Sequence, residues 1–206
     1  MASGAPRNAE ATRKRLLKAA AAEFARYGIA GARVDRLAAE AQSNKAQIYH
    51  YYGSKDGLFD AVFEALVAQV LSEAPMDAHD LPEYAGRLFD GYEQYPDIIR
   101  LATWYRLERG GDGTHVQAVL DADRAKVTAI AAAQAAGAVT DAYAPEVLLG
   151  LVIHTAALWT AQTPEYEHLV GALSSGQRRD IVVSAVAALT GPHGGGGSRG
   201  PGGSDR

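Results

Sequence analysis

The segment Gln42–Lys55, QSNKAQIYHYYGSK, decides how this chain reads. Asn44 is a favourable N-cap, so a helix is expected to begin at Lys45 and run to Tyr51 or Tyr52, roughly two turns. A helix that short does not hold itself together in water, and neighbours must support it. At about 100° per residue Ile48 and Tyr52 fall on one side, the expected inward face. Ala46, Gln47 and His50 fall opposite, with Tyr49 and Tyr51 on the shoulders. That outward face suits the major groove of DNA. An amide can read adenine bidentately, a small residue admits the backbone or touches a thymine methyl, and phenols bond phosphates. Gly53–Ser54–Lys55 then closes this helix and opens the next, with Ser54 as N-cap. A lysine in a first turn runs against the helix dipole and suggests an outside anion such as phosphate. Taken alone, a short helix with three tyrosines is more often a packing element than a DNA reader; the residues before it change that.

From Thr12 to Tyr27 the sequence TRKRLLKAAAAEFARY has neither Gly nor Pro and sets Leu16/Leu17, Ala20/Ala21, Phe24 and Tyr27 along one face, which predicts a helix stopped by Gly28. A second, short helix is expected at about 33–41, with Val34, Leu37, Ala38 and Ala41 as its apolar stripe. Only Gln42 and Ser43 then separate it from Asn44. Two short helices so joined form a helix-turn-helix, the first crossing the DNA backbone with Arg33 toward a phosphate and the second lying in the groove. Residues 1–10 read as unstructured.

The stretch Arg13–Leu58, with LLKAAAAEFARYG, VDRLAAEA and IYHYYGSKDGLF, resembles the DNA-binding domain of the TetR (tetracycline-repressor) family of bacterial regulators. The resemblance spans residues 9–69. It rests on an aromatic–Gly pair after the first helix and on Y-x-Y-aromatic-x-x-K-x-x-L from Tyr49 to Leu58. It implies that Lys45, Gln47, Tyr49, His50 and Tyr51 touch bases or phosphates, beside Asn44 and Ala46 on the same helix, and that Lys55 anchors the DNA backbone. Two departures matter. Ala32 stands where the family often has a Thr or Ser N-cap, losing about 1 kcal/mol of local stability. Gln42–Ser43 replaces a turn that often carries Gly, so a left-handed Gln42 would cost roughly 1 kcal/mol.

Charge divides along the chain. Residues 1–56 hold ten Lys or Arg against five Asp or Glu, and the remainder ten against nineteen, within a total of −4. A basic head on an acidic body can meet phosphates with the head alone. An anionic membrane surface would suit the same charge, but the head's apolar residues are spent on a compact core. There is no Cys, no apolar run of membrane-spanning length and no signal-peptide h-region, which fits a soluble cytoplasmic protein. GxSxG, HExxH, a phosphate loop and paired metal-ligand His are all missing, so no enzyme, cofactor or metal is expected.

Beyond Leu58 one helix continues to about Ala74, with Leu58, Val62, Ala65/Leu66 and Gln69/Val70 inward. As one rod of roughly 30 Å it joins head to body. Five more helices are expected, near 80–94, 96–109, 115–136, 145–162 and 175–190, bracketed by Pro96, Gly110, Pro145, Thr163–Pro164 and Gly191–Pro192. The fold class is therefore all-α, about nine helices, with a helix-turn-helix domain at 9–69, a ligand-binding and dimerisation domain at 70–190 and an unstructured Gly-rich tail at 191–206.

The segments PEVLLGLVIHTAALWTA and IVVSAVAALT are apolar nearly all round. They predict either central helices of a monomer or the seam of a twofold dimer, with Ala156, Ala157, Ser184, Ala185 and Ala188 allowing close approach. The resemblance also implies an effector pocket, for which Leu88, Tyr92, Leu101, Trp104, Tyr105, Val152, His154 and Trp159 are candidate walls, suited to a hydrophobic or aromatic small molecule. Core packing is the alternative for each. The expected function is a ligand-responsive regulator, a repressor on a palindromic DNA operator, with no membrane partner. The alternatives are an activator of the same family and a helical small-molecule-binding protein without operator specificity.

Overall fold

Local signals set most of the helix ends. The structure, a computed structural model, describes residues 5–110, 115–160 and 162–191, with side chains from residue 9 onward. Among these residues there are ten α-helices and no strand. The Gly-rich tail, apart from Gly191, lies outside them.

Helix α1 (Ala5–Gly31) starts earlier than the sequence suggested, so residues 5–10 extend the rod instead of lying free. Gly28, expected to end it, bends it: φ is +73°, and residues 29–31 add one more turn. Helix α2 (Val34–Glu40) takes Arg33 rather than Ala32 as its N-cap position, and no side chain caps it. Ala32 is instead buried in the head core. Glu23 on α1 compensates, accepting from the Arg33 N–H at 2.8 Å and from the Arg36 guanidinium at 2.6 Å. Burial works to raise the Glu23 pKa, but these bonds outweigh it and hold the carboxyl below its usual range.

The turn after α2 keeps its left-handed residue. Gln42 has φ +49°, and it alone among the described non-glycine residues is positive. Its N–H bonds Ala39 and the Ser43 N–H bonds Ala38, the two reversed bonds of a Schellman ending. Gln42 is exposed and makes no side-chain bond, so removing its Cβ loses nothing. Replacing Gln42 with Gly is expected to stabilise the protein by about 1 kcal/mol, roughly 2–4 °C in a thermal melt. A lower melting temperature would contradict this turn geometry.

Helix α3 (Lys45–Tyr52) and helix α4 (Lys55–Glu73) complete the head. Its core joins Leu16, Phe24, Leu37, Ile48, Leu58 and Phe59, with Phe24 edge-on to Phe59 at 5.3 Å. On α4 the inward residues are Leu58, Phe59, Val62, Phe63 and Val70; Ala65 and Gln69, expected inward, are exposed. Leu66 and Val67 touch both the head core and the body core, so α4 does span the two.

The body holds α5 (Leu81–Gln94), α6 (Pro96–Arg109), α7 (Gln117–Ala135), α8 (Pro145–Ala156), α9 (Pro164–Val170) and α10 (Ser175–Thr190). The helix expected to reach residue 162 ends at Ala156 and passes into a short 3-10 turn at Leu158–Thr160. Pro164, expected as a stop, is a start: Thr163 accepts from the Tyr166 N–H and launches α9. Helix α10 opens on a full capping box between Ser174 and Gln177. It packs along α5, where Arg179 bridges Asp90 at 3.0 Å and Glu83 at 2.8 Å. Leu81, Tyr84, Leu88, Phe89, Ile130, Leu148, Val152 and Val182 form the body core.

A second helix ties the head down, and the sequence reading did not place it there. Leu101 of α6 is fully buried in the head core, and Trp104 Nε1 donates to the Ala25 carbonyl at 3.3 Å. Tyr105 stacks on Phe63, centroids 5.2 Å apart. Glu108 accepts from the N–H groups of Ile29 and Ala30 at 2.9 and 2.8 Å, and Arg109 bonds Asp56 at 2.9 Å and also Asp60. The break at Gly28 orphans two backbone donors, and a carboxylate from α6 caps them. Leu101, Trp104 and Tyr105, expected as walls of an effector pocket, belong to this junction.

Candidate nucleic-acid interface

The face of α3 opposite Ile48 is built from the turn upward. Asn44 accepts from the Gln47 N–H at 2.9 Å, which starts the helix at Lys45. Ile48 is fully buried, and Lys45, Ala46, Gln47, Tyr49 and His50 are exposed. Lys45 pairs with Asp35 of α2, both about half exposed. Solvent-exposed pairs contribute little, so this one can open when a phosphate offers itself.

The two remaining tyrosines are partly committed to the fold. Tyr52 is half-buried and its hydroxyl has no partner; burial raises its pKa. The Arg13 guanidinium lies over the Tyr51 ring at 4.9 Å, and the His50 ring sits 5.4 Å from it. Tyr51 thus braces α3 against α1 and presents Arg13 beside the helix. Arg33 is exposed at the start of α2.

Lys55 does not simply point outward. Its ammonium donates to the Ala30 carbonyl at 3.1 Å and, at 3.5 Å, to that of Ala32, closing the end of α1. Ser54 caps α4 as expected, accepting from the Gly57 N–H. The sequence reading missed Ser43, whose hydroxyl donates to Gln47 Oε1 at 2.6 Å. A serine four residues before an exposed amide was the available signal.

The body residues proposed as pocket walls fall into separate places. Leu88 and Val152 are core residues with at most 3 % exposure. Tyr92 is the buried wall of an open cavity of about 390 Å³ that also meets Pro96, Ile99, Arg100 and Thr160. Trp159 packs on the body core, and its Nε1 is buried without a partner, as are Gln162 Nε2 and Arg178 Nε around the same small cleft. His154, expected at a pocket wall or in the core, faces outward, with Nδ1 2.8 Å from the Gly150 carbonyl. Tyr84 is a buried hydroxyl the sequence did not single out; burial, then the nearby Asp123 charge, push its pKa up to about 12.

The outward faces of α8 and α10 are apolar. Val147, Leu151, His154 and Leu158 line a shallow groove, and Ile181, Ala185 and Ala188 are exposed on α10. Ala156, expected at a seam between copies, is fully buried within its own protomer. No helix among the described residues is long and apolar enough to cross a membrane.

Comparison with known proteins agrees with this fold. Residues 16–62 match the family described as "Bacterial regulatory proteins, tetR family", and residues 80–188 match "Tetracyclin repressor-like, C-terminal domain". The chain is 40 % identical over 190 residues to the HTH-type transcriptional repressor SCO4008 of Streptomyces coelicolor, covering 90 % of this chain and 98 % of that one. The crystal structure of the transcriptional regulator SCO4942 from the same organism is 37 % identical, with a TM-score of 0.77 over 88 % of this chain and 99 % of that one. AibR, crystallised with isovaleryl coenzyme A and operator DNA, shares the fold at 16 % identity and a TM-score of 0.64, over 85 % of this chain and 97 % of that one. With a family match over each half and a near full-length relative at 40 % identity, the chain belongs to the tetR family of bacterial regulatory proteins.

Proposed function

We propose that this regulator is a ligand-responsive transcriptional repressor that binds a palindromic operator as a homodimer in the cytoplasm. The observation that carries the reading is the α3 face. Ala46, Gln47 and His50 stand outward on a helix whose other side is locked by the fully buried Ile48. Arg33, Lys45, Tyr49 and the Arg13–Tyr51 pair surround them with groups that bond phosphates. Asn44 caps the helix, and Lys55, with one N–H left after its two carbonyls, holds the backbone at the next helix start. The name of the relative SCO4008 supports repression over activation.

The outward apolar faces of α8 and α10 support the dimer. Leu158 and Val147 are 43 % and 49 % exposed, and a twin pair from a second copy would cover them. Two α3 helices about one DNA turn apart then read two half-sites. The effector cavity is the one beside Tyr92, whose Tyr, Ile and Pro walls suit the hydrophobic or aromatic part of a small molecule, with Glu93, Arg100 and Thr160 at its polar side. It opens on α6, which is bonded to α1 and α4. To loosen operator binding 5- to 150-fold an effector need supply only about 1–3 kcal/mol of coupling.

Selection from random duplexes with the purified protein tests the reading. An enriched palindrome is expected, and replacing Gln47 with Ala should relax one position per half-site by about 1–3 kcal/mol. A pool with no enriched symmetric site would favour a small-molecule-binding protein without operator specificity.

A further inference from the structure

We infer that Ser43 sets which base Gln47 reads, by fixing the direction of its amide toward acceptor groups such as those of guanine. The inference rests on the DNA-binding reading of α3. Free glutamine in a major groove can present its amide either way, and the pairing most open to it is adenine, which needs the oxygen and the nitrogen forward together. Here the oxygen is held back.

Four bonds around the turn produce this. The backbone of Ser43 is fixed by the Schellman ending of α2, its own N–H on Ala38 at 2.9 Å and that of Gln42 on Ala39 at 3.1 Å. The backbone of Gln47 is fixed by the Asn44 cap at 2.9 Å. Between these two anchored points the Ser43 hydroxyl donates to the Gln47 amide oxygen Oε1 at 2.6 Å, at the short end for an O–H···O bond. The oxygen therefore faces the turn, and both hydrogens of Nε2 face away from it. The exposed end of the side chain becomes a donor, and in the groove a donor seeks the paired acceptors O6 and N7 of guanine. Ser43 touches no base in this scheme; it is a positioning residue.

The turn itself survives removal of the hydroxyl, because its bonds are made by the backbone. Ser43→Ala thus frees the amide without disturbing α2 or α3, and Ser43→Thr retains the hydroxyl. Selection from random duplexes should be run on four full-length proteins: the parent, Ser43→Ala, Ser43→Thr and Gln47→Ala. The parent is expected to enrich a palindrome with guanine at the position that Gln47→Ala relaxes. Ser43→Ala should admit adenine there about tenfold more readily, with the rest of the site unchanged, and Ser43→Thr should keep guanine. Adenine at that position in the parent, or identical profiles for the parent and Ser43→Ala, would overturn the inference while leaving the operator reading intact. A palindrome indifferent to Gln47→Ala would remove Gln47 from readout and the inference with it. No palindrome at all would refute the DNA-binding reading itself.

Discussion

Replacing Gly28 with Ala is expected to cost about 2–4 kcal/mol of stability, the sum of a left-handed residue with a side chain and a steric clash. Gly28 has φ +73°, and a Cβ there would lie 2.5 Å from Glu108 Oε1 and 2.9 Å from the Trp104 ring. Glu108 is not a loose side chain that can swing aside. Its two oxygens hold the N–H groups of Ile29 and Ala30, which the bend leaves without helical acceptors. Moving it would leave the buried Ile29 N–H unpaired, although the exposed Ala30 N–H could turn to water, and the Trp104 ring on the same side still blocks the Cβ. A melting temperature lower by roughly 5–15 °C is expected for a chain of this size. Glu108→Gln keeps the shape and one acceptor oxygen, so it should lose about half as much, on the order of 1–2 kcal/mol. A Gly28→Ala protein that melts within a degree of the parent would show that α6 does not approach α1 this closely. The head would then be joined to the body by α4 alone.

Placing a charge on the outward face of α10 is expected to separate the proposed dimer. Ala185 is exposed in the protomer, so Ala185→Glu leaves the fold and the helical circular dichroism signal of each chain unchanged. In a twofold seam the same carboxylate would be buried without a partner, twice over because of the symmetry. An uncompensated buried charge costs about 3–5 kcal/mol, so the dimer should dissociate at least about 100-fold more readily. Operator affinity falls with it, since a monomer reads one half-site. Ala129→Glu on α7 is the control, an exposed alanine outside α8 and α10, and it should remain dimeric. Sedimentation of both variants and the parent decides the matter. A dimeric Ala185→Glu protein would place the contact between copies elsewhere, and the exposed apolar surface of α8 and α10 would need another explanation.

Both variants bear on how an effector could act. Helix α6 carries Pro96 and Ile99 beside the Tyr92 cavity at one end and Glu108 and Arg109 on the head at the other. A shift of α6 by a fraction of a turn at the cavity reaches the bend of α1 through direct bonds. Helix α4 offers a parallel route, since it lies in both cores. The sequence pointed to α4 because it is continuous across the boundary. Nothing local in α6 distinguishes a residue that faces the head from one that faces the body.

The sequence by itself determined the helix inventory of the head, the turn and the α3 face. These depend on signals within about one helical turn: Asn44 and Ser54 as caps, Gln42 forced left-handed, and Ile48 spaced against Ala46, Gln47 and His50. The limits of α6 and the end of α10 were equally local, set by Pro96, Gly110 and Gly191. Pro164 was misread because a proline that cannot continue one helix is also well suited to begin another, and the choice depends on what the next turn packs against. Tertiary structure alone decided the partners. Leu101, Trp104 and Tyr105 went to the head because Gly28 lets α6 lie against α1. Lys55 went to the carbonyls of Ala30 and Ala32, His154 turned outward, and Ala156 was taken into its own protomer's core. Each of these contacts joins residues far apart in the chain or depends on what a neighbouring helix covers. Periodicity tells which residues share a face, and only the packed arrangement tells what that face meets.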